Sequence, residues 1–210
     1  MFNANVLTFQ EFSMHAPLLL SAIHEAVLEF LRDRDDAVLF GAQAVNAYVS
    51  EPRMTQDIDL LSTRAAALAK ELHAYLKKRF HIAVRIREIG KGRGYRIYQK
   101  QQSGNRHLVD IRPITAFPET RRIAHILVMA PVDLIAGKVI AYHQRRGKPK
   151  AGTDWRDIAM LLLRFPDLKR ESGPVAERLH NAAPQLLPVW QEIVGQDITA
   201  EDDDDEFWVV

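Results

Sequence analysis

Apolar positions along the chain follow two periods. Between residues 13 and 34, Leu19, Ile23, Val27, Phe30 and Leu31 recur at helical spacing, with Glu25, Glu29 and Arg32 on the remainder, which predicts an amphipathic helix. After a turn at Asp35-Asp36, the apolar run Ala37-Val38-Leu39-Phe40 predicts a short strand stopping at Gly41. Ala42 to Tyr48 reads as a short helix ended by Pro52, and Asp57-Ile58-Asp59-Leu60 alternates as a strand does. A helix over 63–79, capped by Ser62 or Thr63, buries Ala67, Leu68, Leu72, Tyr75 and Leu76. Strand patterns follow at 82–87, 95–98 and 107–112, the first two joined by the glycine-rich hairpin loop Gly90 to Gly94. Beyond Pro131 the period is helical, over 132–142, 155–164, 173–182 and 184–194, with breaks at Pro166 and Pro184. The expected fold is α/β (α+β): a short mixed sheet flanked by helices, then a helical region.

The alternation at Asp57-Ile58-Asp59-Leu60 carries the chemistry. Successive strand side chains point to opposite faces, so Ile58 and Leu60 enter a core while Asp57 and Asp59 share the other face, roughly 6–7 Å apart along the strand. Two like charges held this near repel unless a cation neutralises them, and hard oxygen donors suit Mg²⁺ or Mn²⁺. Gly41 permits a sharp turn and close approach of a ligand to the backbone. Ala42 opens the short helix whose first-turn N–H groups can face a triphosphate, and Arg53 and Thr55 stand where they can reach phosphate oxygens. Asp110 alternates with Val109 and Ile111, so its carboxylate points away from the core.

Phe40-Gly41-Ala42, a spacer and Asp57-Ile58-Asp59-Leu60 together resemble the signature of the DNA polymerase beta-type nucleotidyltransferase superfamily. With Tyr48, Pro52-Arg53 and Thr55 in this register, the pattern is similar to that of the AbiEii-type nucleotidyltransferase toxins. Many superfamily members carry Gly-Ser where this chain has Gly41-Ala42. The resemblance implies a nucleotidyltransferase-fold core over 1–125, a helical region over 126–200 completing the nucleotide site, and an acidic tail over 201–210. It implies Mg²⁺- or Mn²⁺-dependent transfer of a nucleoside monophosphate from an NTP, with Asp57, Asp59 and Asp110 as catalytic metal ligands and Asp110 also taking a proton from the attacking hydroxyl. Lys138 and Asp154 match the family's second block, a helical lysine on the triphosphate and a later aspartate holding it; Asp154 also suits the N-cap of the helix over 155–164. RNA, tRNA ends included, or a protein hydroxyl is the implied acceptor, in a toxin–antitoxin setting with an antitoxin protein as partner.

Composition narrows the setting. The 210 residues contain no cysteine, which excludes disulfides and thiolate chemistry and fits a reducing cytosol. No apolar run approaches the roughly 18–20 residues of a membrane span, and the N-terminus lacks the features of a signal peptide, so a cytoplasmic protein with no membrane partner is expected. The net charge of +1 hides six acidic residues at 201–206; the remainder holds 28 basic against 21 acidic side chains, a net of +7, which favours polyanionic partners. The Arg145 to Lys150 run reads as a solvated basic loop or, beside a nucleotide pocket, as a guide for an RNA backbone, and the acidic tail as disordered acid followed by a hydrophobic end or, with Trp208 as anchor, as a cover for a basic site. His15 and His24 read as surface or internally satisfied histidines. A glycosyltransferase, which also uses an Asp-X-Asp metal site, needs a longer nucleotide-sugar domain than the 56 residues before Asp57. A non-catalytic nucleotide-binding module is the remaining alternative.

Overall fold

A computed structural model describes residues 18–101 and 104–200. The expectations for His15, for the start of the first helix and for the acidic tail lie outside these residues. The chain divides into two compact units between Ala130 and Pro131.

The first unit is built on a seven-stranded mixed sheet of order β3-β4-β5-β2-β1-β7-β6. The strands are β1 (Val38–Phe40), β2 (Ile58–Ser62), β3 (Val84–Ile89), β4 (Gly94–Gln101), β5 (Gly104–Pro113), β6 (Thr120–Ile123) and β7 (Ile126–Met129). At its centre β2 runs parallel to β5, with Ile58 beside Val109 and Leu60 beside Ile111. These four side chains are fully buried. Helices α1 (Leu20–Leu31) and α3 (Ala65–Phe80) cover the core, burying Ile23, Val27, Leu68 and Leu72 completely. A short α2 (Gly41–Asn46) follows β1 directly.

Several element boundaries differ from the sequence reading for identifiable reasons. Helix α1 ends at Leu31, short of the expected 34, because Asp33 takes a left-handed φ of 57° and its N–H bonds His125 O. Helix α2 ends at Asn46, well before Pro52, and the Asn46 amide clamps the following loop by bonding both N and O of Arg53. Helix α3 has Arg64 at its N-cap; Ser62 Oγ instead accepts from Arg64 N and donates to Asp36 O. The β6–β7 hairpin is absent from the sequence reading. Its two-residue turn is Ala124-His125, both at positive φ, in place of the Asn-Gly or Asp-Gly that normally signals such a turn.

The second unit, described to residue 200, contains α4 (Pro131–Gln144), α5 (Pro149–Arg164), α6 (Pro174–Ala182) and α7 (Leu187–Val194), with short 3₁₀ turns at Pro166 and Pro184. Helix α5 begins at Pro149, where the ring's fixed φ and missing N–H suit a first helical position. Asp154 therefore lies inside a helix, and its reading as an N-cap is corrected. The last two residues of the expected basic loop, Pro149 and Lys150, open this helix. Trp190 anchors the unit, fully buried with its indole N–H on Arg170 O at 2.9 Å.

Candidate active site

The parallel register of β2 and β5 puts Asp59 beside Asp110, and the antiparallel register of β4 puts Arg96 beside Asp110. These side chains share the sheet face opposite the Ile58, Leu60 and Ile111 core. Asp57 precedes β2 by one residue, on the same alternation as Asp59.

Gly41 closes the end of β1, where Phe40 pairs with Asp59. Its φ is +71°, and a Cβ there would lie 2.9 Å from Asp59 Cγ and closer still to Oδ2. The glycine is required twice, for its backbone conformation and for the space that the Asp59 carboxylate fills. Ala42 follows in the first turn of α2. Arg53 is held through its backbone by Asn46 and turns Nη1 onto Met54 O, and Thr55 Oγ1 donates to Gln43 Oε1 at 3.3 Å. Gln43 and Asn46, both buried, thus fix the loop leading to Asp57; neither stands out in the sequence.

The centre of the cluster holds a residue that sequence reasoning missed. His107 Nδ1 stands 3.1 Å from Asp57 Oδ2, and Nε2 stands 3.0 Å from Asp110 Oδ1. In a regular strand, residues three apart face opposite sides. Between the pairs Ile97–Val109 and Tyr98–His107 the register shifts by one residue, leaving Leu108 as a β-bulge. The bulge turns His107 onto the face of Asp110. The consecutive buried pair Leu108-Val109, which breaks the alternation, is the signal that could have found it.

Arg96 grips Asp110 as a fork, Nε to Oδ1 and Nη2 to Oδ2, both at 2.9 Å. Burial works against ionising Asp110, yet hydrogen bonds from His107 and Arg96 outweigh it and hold the carboxyl well below its usual range. For His107, burial opposes the charge, but the bonds to Asp110 and Asp57 raise its pKa to about 9. His24 is an interior histidine that is only partly satisfied, with a backbone hydrogen bond at Gln56. It is buried, Nε2 has no partner among the described residues, and burial lowers its pKa to about 4 despite the field of Asp57.

One ligand atom each from Asp57, His107 and Asp110 lie within 4.8 Å of one another. Two carboxylates and an imidazole, already facing cationic groups, are a donor set that fits a divalent cation. The raised His107 pKa has a consequence for stability. The stabilisation is complete below 6.5, the unfolded value, and is lost as pH rises through about 9. In protein stripped of divalent ions, the urea midpoint is expected to fall across that window, and His107→Gln to flatten the fall. A midpoint independent of pH there would contradict the ion-pair geometry.

In the second unit, Lys138 and Asp154 come together in a buried charge network. Lys138 Nζ lies 2.6 Å from Asp157 Oδ2 and 3.4 Å from Asp154 Oδ1, and Arg145 Nη1 lies 2.6 Å from Asp154 Oδ2. Asp154 and Asp157 are 1% and 0% exposed, so these cations neutralise carboxylates that water does not reach. In the sequence reading Arg145 belongs to the basic loop and Asp157 has no role of its own.

Residues 25–187 match the family described as "Nucleotidyl transferase AbiEii toxin, Type IV TA system". No curated protein matches the chain. Among solved structures, the polyadenylate synthase of Megavirus superposes with a TM-score of 0.55 at 16% identity, over 70% of this chain and 32% of that enzyme. This chain thus spans well under two thirds of that enzyme's length. JHP933 from Helicobacter pylori superposes with a TM-score of 0.52 at 14% identity, over 90% of both chains. At these identities the structural likeness is one of fold. No helix among the described residues is long and apolar enough to cross a membrane.

Proposed function

We propose, from the premise that this chain belongs to the AbiEii nucleotidyltransferase family, that it moves a nucleoside monophosphate from an NTP to a hydroxyl of RNA, tRNA ends included, or of a protein. The observation that carries this reading is the clustering of Asp57 with Asp110 on one face of the sheet, with Asp59 beside Asp110 in register and packed against Gly41.

In the proposed reaction the acceptor hydroxyl oxygen attacks the α-phosphorus and gives its proton to water, the bond from that phosphorus to the β-bridging oxygen breaks, and pyrophosphate leaves with the electron pair. Asp57, Asp59 and Asp110 are the proposed holders of Mg²⁺ or Mn²⁺. When bound, the ion supplies positive charge that polarises the α-phosphate and stabilises the leaving pyrophosphate. The depressed pKa of Asp110 suits a carboxylate that holds charge better than one that takes a proton, so the metal-holding share of its expected role is the one favoured. Gly41 and Ala42 offer backbone, and Arg53 and Thr55 side chains, to the triphosphate. A contact from Lys138 to that triphosphate has to compete with Asp157, and Asp154 would act by holding the lysine.

The proposed domains are a catalytic core that extends past the expected 125 to Ala130, since β7 completes its sheet, a helical region from Pro131 to 200 contributing Lys138 and Asp154 to the nucleotide, and a tail over 201–210. A cytoplasmic site of action and an antitoxin partner complete the proposal.

The test is transfer from each α-labelled NTP with Mg²⁺, using total RNA and cell protein as separate acceptors and Asp57→Ala/Asp59→Ala as blank. Label in one acceptor, reduced about 10³-fold or more in the blank, is the expected result, since the site acts chiefly through positioned charge. Nucleotide binding without transfer to either acceptor would instead mark a degenerate binding module.

A further inference from the structure

His107 lies outside the carboxylate pattern, yet the β5 bulge delivers its ring to the centre of the cluster. Its two nitrogens have different surroundings. Nε2 meets Asp110 Oδ1, an oxygen already fixed by Arg96 Nε, whereas Nδ1 faces Asp57 Oδ2.

We propose that His107 is a direct metal ligand through Nδ1, beside Asp57 Oδ2, and that this nitrogen biases the site toward Mn²⁺ over Mg²⁺. The inference rests on the metal-dependent reading above and deepens it by naming a ligand and an ion preference.

Three observations support it. Two ligands about 2.1 Å from one octahedral ion, at right angles, are about 3.0 Å apart; Nδ1 and Asp57 Oδ2 stand at 3.1 Å. A ligating imidazole normally gives its other N–H to a carboxylate, which fixes tautomer and ring orientation, and Asp110 Oδ1 is in place to accept it at 3.0 Å from Nε2. Arg96 keeps Asp110 from swinging away, because its fork engages both oxygens. In this arrangement Asp110 supports the ion through the imidazole rather than by direct contact. Mg²⁺ is a hard cation that prefers oxygen and sheds water reluctantly, while Mn²⁺, also at home among oxygens, is a transition ion and of the two accepts imidazole more readily. A mixed N/O set therefore favours Mn²⁺.

The competing role for His107 is a counter-ion that neutralises Asp57 and Asp110 only in the metal-free protein. A bound dication would expel an imidazolium by like-charge repulsion, so the two roles differ in whether nitrogen touches the ion.

The test uses the full chain with Mn²⁺ alone as probe. Electron spin-echo measurements on the bound Mn²⁺ read nitrogen coupling directly, and calorimetry gives affinities for Mn²⁺ and Mg²⁺. The expected result is nitrogen modulation in the wild type that changes when histidine is ¹⁵N-labelled and vanishes in His107→Gln. Mn²⁺ affinity falls about 10-fold or more in that variant, at least the loss expected for an outer-shell partner, while Mg²⁺ affinity falls much less. The ¹⁵N arm needs no variant and decides whether a histidine nitrogen touches the ion even if His107→Gln does not fold; modulation retained in His24→Gln then leaves His107, the histidine of the cluster, as its source. Bound Mn²⁺ without nitrogen modulation would overturn the ligand assignment and leave the metal reading standing. Modulation that survives His107→Gln and disappears in His24→Gln would also overturn it. Absence of Mn²⁺ and Mg²⁺ binding in the wild type would remove the metal reading and this inference together.

Discussion

Gly41→Ala is expected to cut nucleotidyl transfer about 100-fold, the scale of an ångström-level misplacement at a reacting centre, while leaving the protein folded. The added methyl meets the Asp59 side chain, with Cγ only 2.9 Å away. Asp59 can yield to the methyl only by giving up its place beside Asp110, the register partner in β5. The backbone adds a separate cost, because φ of +71° is unfavourable for alanine by about 1–2 kcal/mol. A steady-state assay with a urea melt separates the two effects. Near-normal transfer by a folded Gly41→Ala protein would mean that Asp59 does not need this position.

Lys138→Met is expected to destabilise the protein by about 3–5 kcal/mol, the usual cost of removing one partner of a buried ion pair. Asp157 and Asp154 are almost wholly enclosed, and the lysine ammonium lies 2.6 Å from the first and 3.4 Å from the second. Urea unfolding of the variant measures this. Nucleotide affinity of the same variant, under conditions where it stays folded, measures the proposed triphosphate contact. Unchanged stability with lost nucleotide binding would show that the network is dispensable and the lysine serves the ligand alone.

The carboxylate pattern was legible because it depends on strand alternation alone. Asp57, Ile58, Asp59 and Leu60 state their own faces, and Asp110 between Val109 and Ile111 does the same. Gly41 was legible for its backbone freedom, but its contact with Asp59 depends on the antiparallel pairing of β1 with β2, which is not local. His107 was hidden because a bulge inverts the parity by which strand residues are assigned to faces. Arg96 was hidden because its partner lies fourteen residues along the chain, on a neighbouring strand whose register no local pattern specifies. Asp154 was misplaced at a helix start because aspartate is a strong N-cap residue, while Pro149, five residues earlier, was the true signal. The β6–β7 hairpin escaped because Ala124 and His125 adopt positive φ without the residue types that usually do so.

The most direct test of the central claim compares two labels on one nucleotide. The wild-type protein is incubated with Mn²⁺ or Mg²⁺, its acceptor, and an NTP carrying label at the α-phosphate or at the γ-phosphate. Nucleotidyl transfer leaves the α label on the acceptor and sends the γ label out in pyrophosphate, and Asp57→Ala/Asp59→Ala abolishes both outcomes. An acceptor that retains the γ label would mean phosphoryl transfer, and the assignment of Asp57, Asp59 and Asp110 to an attack at the α-phosphorus would be wrong.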